Sequence, residues 1–210
     1  MSLKSDYSRD KAPWAYQIPM ERTIEGSAAA VRTKRLSCAW FSFHAPWQGG
    51  QTFESEHAKA FVFSGQKAFV VALRPKEEGI VKALLGGDPD EAREMKQLLG
   101  EDNLRSEFAA LDFCLRITPE QAGLMSSVRD LTRISTMLIL KSAFTSLGNE
   151  IYTVRLEALQ GFQFGNPAAA TEIYVYLFDP DDRLYRTKFH AVTQSEIDAI
   201  LASIEFTPVD

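Results

Sequence analysis

Glu150-Ile-Tyr-Thr-Val-Arg-Leu-Glu-Ala-Leu159, Glu172-Ile-Tyr-Val-Tyr-Leu-Phe178 and Leu184-Tyr-Arg-Thr-Lys-Phe-His-Ala191 alternate with period two. Thr193-Gln-Ser-Glu-Ile-Asp-Ala-Ile-Leu-Ala-Ser-Ile204 then switches to helical spacing. In the first run Tyr152, Val154, Leu156 and Ala158 oppose Thr153, Arg155 and Glu157, which predicts a strand with one apolar and one wet face. The second run has Ile173, Val175 and Leu177 on one side and Tyr174, Tyr176 and Phe178 on the other. A strand apolar on both faces belongs in the middle of a sheet. Asp179-Pro-Asp-Asp182 is a type I turn sequence, with proline preset for the second turn position. Ile197, Ile200, Leu201 and Ile204 make one stripe, capped at Thr193 or Ser195. Strands followed by such a helix predict an antiparallel ribbon with the helix on one face.

Working outward, Arg35 to Phe43 predicts one strand, with Leu36, Cys38 and Trp40 on one face and Ser37, Ala39 and Phe41 on the other. Lys59 to Phe63 and Lys67 to Leu73 predict a hairpin across Ser64-Gly65-Gln66. Helical spacing then runs from Lys76 to Leu147. Ile80, Val81, Leu84 and Leu85 form a first helix. Asp88-Pro89 with Glu91 opens a second, which Gly100 closes. Ser106 to Ile117 predicts a third helix, buried through Phe108, Leu111, Cys114 and Leu115. Thr118-Pro119 starts a fourth, and Ser127 or Asp130 opens the last, with Leu131, Ile134 and Leu138 inward. Met137 to Leu140 also reads as strand. Residues 1–30 are expected to be a loosely packed arm, pinned through Pro13, Trp14, Tyr16 and Pro19. Residues 31–210 are expected to form one α+β domain: a mainly antiparallel, twisted sheet of five or six strands with helices packed on its faces, as in an α/β/α sandwich.

The net charge of -5 argues against a nucleic-acid binder, and the densest basic cluster is only Arg32, Lys34 and Arg35. No apolar run approaches the ~18 residues of a membrane span. Met1-Ser2-Leu3 resembles an expression scar, and such starts often replace a removed signal peptide. An exported location, periplasmic or membrane-tethered, is therefore expected ahead of a cytoplasmic one. Cys38 and Cys114 sit inside apolar runs, which favours buried free thiols over one disulfide.

Candidate chemistry is sparse. No His-Glu-x-x-His, paired Cys-x-x-Cys, nucleophile elbow, calcium loop or phosphate cradle occurs, so no metal, cofactor or catalytic residue is assigned. The most unusual segment is Gly161-Phe-Gln-Phe-Gly-Asn166-Pro. Phe162, Phe164 and Asn166 there read either as a recognition surface for a protein partner or small hydrophobic ligand, or as residues tucked under the sheet edge. Trp47, at a strand exit, carries the same two readings: lining a cleft or capping the core.

Phe41-Ser-Phe-His-Ala-Pro-Trp47 and Thr193-Gln-Ser-Glu-Ile through Ile200-Leu-Ala-Ser-Ile-Glu-Phe206 resemble segments of the Mog1/PsbP-like group, about a third of the chain in all. The resemblance implies an α/β/α sandwich on an antiparallel sheet and a largely non-enzymatic role, as assembly factor, partner-binding module or lipoprotein. It transfers no catalytic residue. The expected function is therefore a non-catalytic binding or accessory protein. A competing expectation is a hydrolase whose site assembles from His44, His57 and the nearby Glu54 or Glu56. A third is an immunity or inhibitor-like protein with a basic partner, to which the acidic balance points.

Overall fold

Two apolar clusters form on opposite faces of one eight-stranded sheet. The computed structural model describes residues 8–24, 34–73, 79–86, 88–124, 128–157 and 159–207, and within these the side chains of 122–124 and 128–133 are left aside. Met1-Ser2-Leu3, Arg32, Ser127 and the Leu131 side chain lie outside the described residues. The strands are β1 (Met20–Thr23), β2 (Lys34–Ser37), β3 (Phe41–Ala45), β4 (Gln51–Glu54), β5 (Ala58–Val62), β6 (Ala68–Leu73), β7 (Ile151–Leu156), β8 (Leu159–Phe164), β9 (Glu172–Phe178), β10 (Leu184–His190) and β11 (Glu205–Phe206). The helices are α1 (Ile80–Leu85), α2 (Pro89–Leu99), α3 (Glu101–Leu104), α4 (Glu107–Arg116), α5 (Pro119–Leu124), α6 (Val128–Thr145) and α7 (Gln194–Ala202).

The large sheet has the order β1-β7-β8-β9-β10-β6-β5-β4, and a small one has the order β11-β3-β2. Among the described strands of this sheet, β1–β7 is the one parallel pair. This is an α+β fold with a mixed, mostly antiparallel sheet. Phe162, Phe164, Tyr176 and Phe178 point to one face, where Phe108 of α4 and Phe144 of α6 stack on them. Val175, Leu177, Tyr185 and Phe189 point to the other, under Phe41 and Phe43 of the small sheet and Ile197 and Ile200 of α7. The C-terminal helix thus covers the face opposite the other helices. A strand hairpin shares its layer.

Several expectations need correction. The run from Arg35 to Phe43 is two strands, because the Cys38 amide donates to Phe41 O at 2.9 Å and folds the chain into a β2–β3 hairpin. Met137–Leu140 is helical, with Met137 and Leu138 buried. Within the arm, the structure describes residues 8–24. Ala12 and Ala15 are buried, Trp14 packs on the helical-face core, and β1 is an edge strand of the large sheet. Above all, Gly161–Phe164 of the unusual segment belongs to a strand, β8 (Leu159–Phe164), paired on both sides. Gly161 is required there: a carbon added to it would lie 2.1 Å from Tyr176 O.

A chain of caps ties the helices to the sheet. The β9–β10 turn presents the Asp182 carboxylate to the Glu107 amide at 2.6 Å and the Phe108 amide at 3.4 Å, at the start of α4. Glu107 in turn accepts from the Ile80 amide at the start of α1. Each link satisfies N–H groups that a helix start leaves open, and places a negative charge at the positive end of the dipole. Lys141, fully buried on α6, donates to Ala15 O at 2.9 Å and Ile117 O at 2.7 Å, joining the N-terminal turn to the end of α4. Burial lowers its pKa to about 8 and pushes the neighbouring Cys114 thiol up to about 12. Cys38 and Cys114 are both free thiols, packed against opposite cores.

Candidate docking face

The residues singled out in the sequence have structural work. Trp47 is buried against Phe63 at 4.8 Å between ring centroids, and its indole N–H donates to Glu196 Oε1 at 2.7 Å. Lys67 Nζ reaches the same oxygen at 2.5 Å and lies 5.6 Å from the Trp47 ring centroid. Glu196 also closes the capping box of α7 with Thr193. Burial works against its charge, but the bonds from Lys67, the Thr193 amide and Trp47 hold the carboxyl below its usual range. Phe162 and Phe164 have no exposure, being inward residues of β8. Asn166 shapes its own loop, accepting from the Ala168 amide at 3.0 Å and donating to Glu150 at 3.3 Å.

The histidines do not converge. His44 alternates with buried Phe43 and Ala45, so it lies on the outer side of the small sheet, where its amide donates to Ser203 Oγ. His57 is exposed in the β4–β5 turn, 3.8 Å from Glu56, while Glu54 pairs with Lys59 at 3.1 Å. A cleft of about 640 Å³ beside α3 and α4 is lined by Asp102, Arg105, Asp112, Arg155 and Gln160, with no histidine. Among the described residues, no three His, Cys, Asp or Glu side chains gather as metal ligands, and no helix is long and apolar enough to cross a membrane.

What stands out is a face that alternation places but nothing described covers. The helical-face core takes residues from β7, β8 and β9 and only Leu184 from β10. Beyond it, the same face of β10, β6, β5 and β4 stays open. Register aligns its rows. Lys188 lies beside Val70, Ala60 and Phe53; His190 lies beside Ala68, Val62 and Gln51; Arg186 lies beside Ala72 and Ala58. Phe53 is 57% exposed and Val62 39%, both among the few large exposed apolar side chains. β4 is exposed at every residue, and no described strand lies on its outer side.

The border with the helices is charged. Lys188 Nζ lies 2.6 Å from Glu172 and 5.6 Å from the Tyr174 ring centroid, and His190 Nδ1 lies 3.8 Å from Glu172. The Lys188 bond lowers the Glu172 pKa, and the same bond raises that of Lys188. Arg186 is exposed, and its guanidinium bonds to no group among the described residues. Sequence reasoning missed this face. Its one legible signal is the hairpin β5–β6, where Ala60 and Val62, then Ala68, Val70 and Ala72, put apolar residues on the side away from Phe61, Phe69 and Val71. Comparison with protein families, curated proteins and solved structures finds no match to this chain.

Proposed function

We propose that this is a non-catalytic, partner-binding protein that docks its partner on the open face of β4, β5, β6 and β10. One observation carries the reading: Phe53 and Val62 stand exposed beside a contiguous floor of alanine and valine, on a sheet whose other half is covered by helices. Exposed apolar surface of this kind, rimmed by charge, marks interaction sites. A small hydrophobic ligand is a poorer fit, since such ligands take concave pockets and this is a sheet surface. The resemblance to the Mog1/PsbP-like group points to the same class of role. The cations at the border favour a partner with acidic groups over the basic partner of an immunity-like protein. As a test, Phe53→Asp and Val62→Asp keep the wild-type melting temperature and lose a stoichiometric partner that the wild type retains from native extract. Equal retention by both variants, or hydrolase turnover that vanishes in His57→Ala, sinks the reading.

A further inference from the structure

We infer that the partner presents one amphipathic α-helix, apolar toward the sheet and acidic where it passes Arg186, which completes the layer begun by α4 and α6. This rests on the docking role of the open face. The strip from β10 to β4 spans three strand spacings, about 14 Å. An α-helix with its side chains is about 10–12 Å across. One helix therefore covers the strip, and two do not fit.

The relief of the strip points the same way. Its floor is Ala58, Ala60, Ala68 and Ala72 around Val70, with Val62 at the end of β5, while the bulk at the rims is Phe53 on β4 and Arg186 and Lys188 on β10. Small floor residues let a helix come down to the sheet, and larger rims hold it from both sides. The row through Tyr176, Arg186, Ala72 and Ala58 crosses the border of the helical layer. At Tyr176 it is buried, under Phe144 of α6. One strand further on it is exposed. Among the described residues the covering layer ends on β10, past Leu184, and the same sheet continues beyond it.

Charge sets the chemistry of the occupant. Lys188 is already engaged by Glu172, whereas the Arg186 guanidinium bonds to no described group, so among the described residues Arg186 is the cation that the strip has available. An acidic side chain on the helix meets it at a partly desolvated border. A strand added to the edge of β4 would pair with backbone, but it would leave the alanine floor open and lie four strand spacings, about 19 Å, from β10.

The experiment selects binders to the whole protein from two displayed libraries, one of helical scaffolds with a randomised face and one of unstructured extended peptides. Helical clones rich in Glu and Asp are expected. They should weaken at least about fivefold on Arg186→Glu, recover when the clone's acid is changed to Arg, and lose binding on Phe53→Asp. Both variants alter exposed side chains, so the fold is retained and checked by melting. Extended clones that protect β4 amides from exchange and ignore Arg186→Glu would overturn the helix while leaving the docking face in place. Clones indifferent to both substitutions would overturn the docking face itself. A protein that sediments as a dimer, and as a monomer after Phe53→Asp, would overturn the foreign helix in favour of a second copy.

Discussion

Replacing Lys141 with methionine should change how stability depends on pH, in a direction that the geometry dictates. The ammonium is fully buried, and its pKa falls from 10.5 to about 8 because burial disfavours the charge. A fall of that size corresponds to about 3 kcal/mol of cost for keeping the proton in the fold. Below pH 8 both folded and unfolded chains hold the proton, and the full cost is present. Between pH 8 and 10.5 the folded chain releases it while the unfolded chain keeps it, so the unfolded state binds more protons and stability rises with pH. Above 10.5 the cost is gone. The facing thiol of Cys114, raised from 9.0 to about 12 by burial, lowers stability as pH rises through the same window, but it does so in both proteins and cancels in their difference. At pH 7 the sign of the substitution is a close contest. Removing the charge gains about 3 kcal/mol, but Ala15 O and Ile117 O each lose a donor at about 1–3 kcal/mol. The slope is the clean quantity. Urea unfolding of both proteins at pH 7, 8, 9 and 10 should show the wild type gaining on Lys141→Met by about 2–3 kcal/mol across the series. A flat or falling difference would refute the reasoning.

Three further outcomes are expected. Gly161→Ala should lower stability by at least about 2 kcal/mol in denaturant unfolding, because the added carbon meets Tyr176 O in the next strand. Asp182→Ala should cost about 1 kcal/mol and speed exchange of the Glu107 and Phe108 amides. Asp182→Asn should cost less, since it keeps an acceptor and suits the positive φ of 61°. Glu196 has a lowered pKa, so its contribution is present above the ordinary carboxylate range and is lost as pH falls through the folded value. Lys67→Met removes a main partner of that charge, and acid titration of stability should become shallower. An unchanged titration would mean that the Thr193 amide and Trp47 suffice.

Legibility followed the range of the interactions. The cap at Thr193 or Ser195, which the structure resolves to Thr193, the Asp88 cap and the Asp179 turn were readable because each closes within a few residues. The hairpin β5–β6 was readable for the same reason. β8 was missed because Gly161 and two glutamines dilute its pattern. Gln163 in fact points into the fold, where it bonds Gln194 and Arg22. β1 was missed because its partner β7 lies far along the chain. β4 was missed because it is exposed on both faces and shows no alternation.

By itself, then, the chain's order of residues determined the α+β class, the central place of β9 and most helix boundaries, all of which depend on local period and local caps. Tertiary structure alone decided which face each helix covers and where the covering stops. Phe53, Ala60, Val70 and Arg186 come from four strands spread along the chain, and only the pairing register sets them side by side. A docking face of this kind is a property of register and of uncovered area, and neither quantity exists until distant strands have met.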